Sequence, residues 1–168
     1  MKPRFRNLAA AFAPLSRTSL IVVASLCAAA NADQSWTGAT DALWSTTGNW
    51  SGAALPSATE NAVFNASSLA NLTIDTVAAQ SIGGITVTSP AGAVTLNNNT
   101  LTLGTGGINM SAATQNLTIG SAVTTASGTA QEWAVASGRT LTIGGALTGG
   151  TGTANLNTSA GGTIKVTS

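Results

Sequence analysis

A chain of 168 residues with 7% charged side chains, one cysteine and no histidine lacks the commonest metal ligand and general base, and its single thiol allows no internal disulfide. Lys2, Arg4, Arg6 and Arg17 supply four of its six basic residues, so the formal charge of +1 reflects the first 17 positions. Downstream, Asp33, Asp41, Glu60, Asp75 and Glu132 face only Arg139 and Lys165, a weakly acidic balance that excludes an electrostatic case for binding nucleic acid or acidic lipid.

Residues 1–32 read as a helical secretory signal peptide. The basic residues precede the apolar run Leu20-Ile21-Val22-Val23-Ala24-Ser25-Leu26-Cys27-Ala28-Ala29-Ala30, and Ala30-Asn31-Ala32 suits a signal peptidase. The run falls short of the roughly 20 residues that span a bilayer, so no membrane span is expected in the mature chain. Leu26 stands where a lipoprotein signal wants a small residue, which argues against lipidation of Cys27. Export through the general secretory pathway follows, ending outside the cell or on its surface, with the periplasm as the alternative.

Residues 33–67 hold Trp36, Trp44, Trp50, Pro56 and Phe64, nearly all the aromatic content of the mature chain. Ser45-Thr46-Thr47-Gly48-Asn49 is a turn signal between two of the tryptophans. The favoured reading is an N-terminal cap, since the first coil of a stacked β structure exposes apolar core and an unpaired strand edge. The competing reading is a carbohydrate-binding surface in which Trp36, Trp44 and Trp50 stack on sugar rings.

Residues 68–168 repeat. An apolar-Thr-apolar triplet stands at Leu72-Thr73-Ile74, Val94-Thr95-Leu96, Leu117-Thr118-Ile119 and Leu141-Thr142-Ile143, followed by Ile164-Lys165-Val166, at intervals of 22, 23, 24 and 23 residues. A weaker set lies between at Ile85-Thr86-Val87, Ile108-Asn109-Met110, Trp133-Ala134-Val135 and Ala154-Asn155-Leu156, at intervals of 23, 25 and 21. Alternation within a triplet sends its outer two side chains to one face and its centre to the other. Linkers such as Asn97-Asn98-Asn99 and Gly104-Thr105-Gly106-Gly107 read as turns.

Two short strands per period of about 23 residues predict an all-β, right-handed parallel β-helix. Thr73, Thr95, Thr118, Thr142 and Lys165 should form an outward column. An antiparallel sandwich would also show short strands, but it does not require the same triplet to recur at this interval. The chain stops on a strand, so a truncated repeat array with a missing C-terminal region is expected, and its last coil would offer an edge for end-to-end self-association or a partner.

Trp36-Thr37-Gly38, Trp44, Gly48-Asn49-Trp50, Pro56 and Asn61-Ala62-Val63-Phe64-Asn65, leading into Leu-Thr-Ile-Gly repeats, resemble the autotransporter-associated β-strand repeat proteins across residues 35–168. The resemblance implies a passenger-like β-helix carried to the bacterial surface, adhesive or structural, contacting glycans or other cell-surface components. It brings no catalytic residues with it. The residues agree: paired carboxylates for glycoside hydrolysis should stand within about 10 Å of each other, whereas in the repeat register Asp75 is followed by Asn97, Gly120 and Gly144. No catalytic residue, cofactor or metal site is expected, and the chain reads as a non-enzyme. Polysaccharide-active catalysis is the third and weakest functional reading.

Overall fold

The computed structural model describes residues 32–126, 128, 130–149, 154–157 (backbone only) and 161–167. The predicted signal peptide, apart from Ala32, lies outside them. In chain order the strands are β1 (Gln34–Ser35), β2 (Asn61–Phe64), β3 (Thr73–Asp75), β4 (Gln80–Val87), β5 (Val94–Asn97), β6 (Leu101–Met110) and β7 (Leu117–Ile119). They continue as β8 (Val123–Thr125), β9 (Gln131–Val135), β10 (Thr140–Ile143), β11 (Leu147–Thr148), β12 (Ala154–Asn157) and β13 (Thr163–Val166). A single 3-10 turn, Thr47–Asn49, is the only helical element among the described residues. The fold is a parallel β-solenoid of about four turns.

One face stacks β3, β5, β7, β10 and β13. Its register sets Thr73 beside Thr95, Thr95 beside Thr118, Thr118 beside Thr142 and Thr142 beside Lys165. The predicted column is therefore present, each member exposed or half-buried. The flanking residues Ile74, Val94, Leu96, Leu117, Ile119, Leu141 and Ile143 are fully buried. Strand alternation alone explains the division, and each interior side chain contributes on the order of 1.5–3 kcal/mol through burial.

The second strand set also stacks, with Ile85 beside Ile108 and Ile108 beside Trp133. Its fourth member corrects the sequence reading: Leu156, not Ala154, pairs with Trp133. The interval there is thus 23 residues, closer to the period than the 21 expected. A shift of two residues preserves the in-out alternation, which is why the pattern alone did not distinguish the registers.

A third strand position was not anticipated. The first halves of β4 and β6 stack with β8 and β11, pairing Ser81 with Thr102, Thr102 with Thr124 and Thr124 with Thr148. Each rung therefore visits three faces, numbered in chain order: the first described above, a second carrying the Ser81, Thr102, Thr124 and Thr148 ladder, and a third carrying Ile85, Ile108 and Trp133. The second and third faces merge into one sheet because β4 and β6 run through the corner between them, where the register shifts between Ile82 and Gly84. Gly104-Thr105-Gly106-Gly107, expected as a turn, lies inside β6. Glycine is a steric requirement at this corner: a Cβ on Gly83 would lie 2.8 Å from the carbonyl carbon of Thr59, and one on Gly106 would lie 2.8 Å from the carbonyl oxygen of Gly83.

The aromatic segment belongs to the same stack. β1 pairs with β2, and β2 with the second half of β4, so one cluster of buried apolar side chains runs from Trp36 to Ile143. Residues 42–51 lie along the outer edges of both sheets. Thr37 N donates to Asn49 O at 2.7 Å and Ser51 N to Ser35 O at 2.8 Å, flanking an antiparallel bridge between Trp36 and Trp50. On the other sheet Asp75 N donates to Ala42 O and Trp44 N to Asp75 O, both at 2.9 Å.

Candidate functional site

The three tryptophans that sequence reasoning singled out for ligand binding are brought together, but inside the molecule. Trp36 and Trp44 are 0% exposed and Trp50 is 3% exposed. Trp50 packs edge-on against both, with ring centroids 5.1 Å from Trp36 and 4.7 Å from Trp44. This is the arrangement that aromatic quadrupoles favour in a core. Trp50 Nε1 donates to Trp44 O at 2.9 Å, and Trp36 Nε1 to Ala70 O at 3.3 Å. Trp44 Nε1 has no hydrogen-bond partner among the described residues. Stacking on a sugar needs an open ring face, and all three indoles are buried in this arrangement.

What surrounds the indoles is a polar network that the sequence did not announce. Asn49 is fully buried. Its Oδ1 accepts from Thr40 N at 2.9 Å and Asp41 N at 3.2 Å, while Nδ2 donates to Asp41 Oδ1 at 2.8 Å and Leu43 O at 3.0 Å. The Asp41 carboxylate also accepts from Leu43 N and Thr46 Oγ1. The backbone N–H of Leu43 is the main cause holding this carboxyl below its ordinary value; desolvation opposes it, and the Asn49 and Thr46 side chains add to the lowering. The Asn49 amide spends both its acceptor sites and both its donors on fixing this loop.

The remaining carboxylates are dispersed. Asp75 has Leu43 and Asn97 as its register neighbours, so no second acid stacks beside it. A hydrogen bond from Asn98, then one from Val77 N at 2.7 Å, lowers its pKa. Asp33 accepts from the backbone and side-chain nitrogens of Asn61 at 2.9 and 3.1 Å. Glu60 accepts from Ser57 N at 2.8 Å, and Glu132 sits on β9, on the third face. Among the described residues no three His, Cys, Asp or Glu side chains group so as to hold a metal ion.

The exterior instead carries repeated neutral polar groups. Beside the threonine column of the first face stands the second ladder, Ser81, Thr102, Thr124 and Thr148. Leu101-Thr102-Leu103 has the same apolar-Thr-apolar form as the recognised triplets and was its one clear signal in the sequence. Compared with protein-family models, with curated proteins and with solved structures, the chain matches none.

Proposed function

We propose that this chain is an exported, non-catalytic, passenger-type β-solenoid whose role is structural or adhesive at the bacterial exterior, of the kind found in autotransporter-associated β-strand repeat proteins. The observation that carries the reading is the register of the first face, where four threonines and Lys165 stand in one outward column while the flanking Ile74, Val94, Leu96, Leu117, Ile119, Leu141 and Ile143 are buried. A surface built by repetition suits extended contact with glycans or other cell-surface components, and Asp33, Asp41, Glu60 and Asp75 are each engaged in hydrogen bonds, with no second acid stacked beside Asp75. Residues 1–32 serve as the export signal. Residues 33–67 act as the cap, which fits the lie of residues 42–51 along both outer edges. The coil is right-handed, as nearly all parallel crossovers are.

The test is expression of the full chain with a C-terminal epitope in a Gram-negative host, followed by fractionation, N-terminal mass analysis and adhesion to glycan-coated surfaces. A product beginning at Asp33 outside the inner membrane, binding a surface less well when Thr95 and Thr118 become lysine, supports the proposal. An uncleaved cytoplasmic product, or adhesion indifferent to those substitutions, overturns it.

A further inference from the structure

A lone rung of a parallel solenoid makes no strand pairing within itself, because every strand finds its partner one rung away. Along most of the chain those partners are distant in sequence: Thr73 pairs with Thr95, Thr95 with Thr118 and Leu117 with Leu141, separations of 22, 23 and 24 residues. Ordering any such pair requires two rungs to settle together, and closing loops of that length carries an entropic cost before any contact rewards it. Repeat arrays can in principle begin folding anywhere, so the starting point is decided by where local contacts suffice.

Residues 34–51 are the exception. Besides pairing with residues 61–75, they make short-range contacts among themselves: Thr46 to Asp41 at a separation of 5, Asn49 to Leu43 and Trp50 to Trp44 at 6, and Asn49 to Asp41 at 8. The antiparallel bridge of Trp36 with Trp50 gives the segment a strand pairing of its own. Three of the four tryptophans, the largest apolar side chains in the chain, gather at the same place. On its outer side the unit is closed by residues 42–51; on its inner side β2 and β3 offer edges to β4 and β5.

From this asymmetry we infer that residues 34–51 form the folding nucleus, a template on which β2 and β3 and then the remaining rungs are laid down in one direction. The inference concerns the order of folding and does not rest on any role at the cell surface.

The test is stopped-flow refolding and unfolding of the full chain in denaturant, followed by far-ultraviolet circular dichroism. The measured quantity is the fraction of each variant's lost stability that appears as slower folding. Asn49→Ala should slow refolding by most of the factor it removes from the folding equilibrium, roughly tenfold, and leave unfolding nearly unchanged. Ile143→Val, four rungs away, should leave refolding unchanged and speed unfolding. If Asn49→Ala fails to fold, Thr37→Val, which deletes the hydrogen bond from Thr37 Oγ1 to Asn49 O and the longer one from Ala39 N to Thr37 Oγ1, takes its place. A fraction below one half at Asn49 or Thr37, or a larger fraction at Ile143 than at either, overturns the inference.

Discussion

Replacing Gly107 with alanine combines two costs that the structure allows to be measured separately. Gly107 has φ +57°, and a Cβ there would lie 2.2 Å from Glu132 O on the neighbouring strand. The left-handed backbone costs an alanine about 1–2 kcal/mol. Relieving the overlap means moving β9 away from β6 by about 1 Å, which takes ladder hydrogen bonds beyond their working range of roughly 2.7–3.2 Å. Overpacking of this kind adds about 1–3 kcal/mol. Among the described residues, Gly138 has φ +68° but nothing within 4 Å of its would-be Cβ, and Gly149 has neither a positive φ nor a neighbour within that distance. The three alanine variants therefore form a series. Gly149→Ala should be neutral or stabilising by about 0.4–1 kcal/mol through the unfolded state, Gly138→Ala should lose about 1–2 kcal/mol, and Gly107→Ala about 2–5 kcal/mol. Against a total of about 5–15 kcal/mol for a domain, the last is a severe lesion. Urea unfolding followed by circular dichroism gives the three values. If Gly107→Ala and Gly138→Ala agree within about 0.5 kcal/mol, the close approach of β6 and β9 at this corner is not as described, and the reasoning fails.

Other consequences are open to direct measurement. Val77, a β-branched residue at φ +55° and 47% exposed, sits where asparagine is better tolerated, so Val77→Asn should raise stability by about 0.5–1 kcal/mol; a loss of stability in the same urea assay would refute the strain. Asp41 and Asp75 are both held below the ordinary carboxylate range, so their contribution is complete above about pH 4 and is lost as pH falls through the lowered values. The Asp41→Asn, Asp75→Asn double variant should accordingly show a flatter decline in unfolding midpoint between pH 5 and about pH 2 than the parent, and an unchanged profile would contradict this. Native fluorescence should resist iodide quenching, because Trp36, Trp44, Trp50 and Trp133 are all buried; efficient quenching before unfolding would place at least one indole at the surface.

How much of this was legible depended on how regular each face is. The first face could be read residue by residue, because every strand alternates apolar with polar and the interval barely varies. The third was read correctly through Trp133, then misplaced by two residues at Ala154-Asn155-Leu156, where either register satisfies the alternation. The second was missed because its strands seldom match one another: Gln80-Ser81-Ile82, Val123-Thr124-Thr125 and Leu147-Thr148 share little beyond an outward hydroxyl. Clustered glycines compounded the error, since Gly83-Gly84 and Gly106-Gly107 look like breaks but are continuous strand at a corner too crowded for a Cβ. The tryptophans were recognised as a group, while their burial was not readable, because depth depends on the fold of residues 36–75 around them. Asn49 gave no signal beyond its place in a turn-forming stretch, although its amide organises that whole segment.

The parallel pairing also has a mechanical consequence. In a stacked coil the bonds between strands point along the long axis, so tension applied along that axis loads one rung boundary at a time and the chain peels instead of shearing. Each released rung of about 23 residues would add roughly 80 Å of contour length, so a molecule only a few rungs tall can yield in long, even steps and spare whatever it is tethered to from a sudden rise in force.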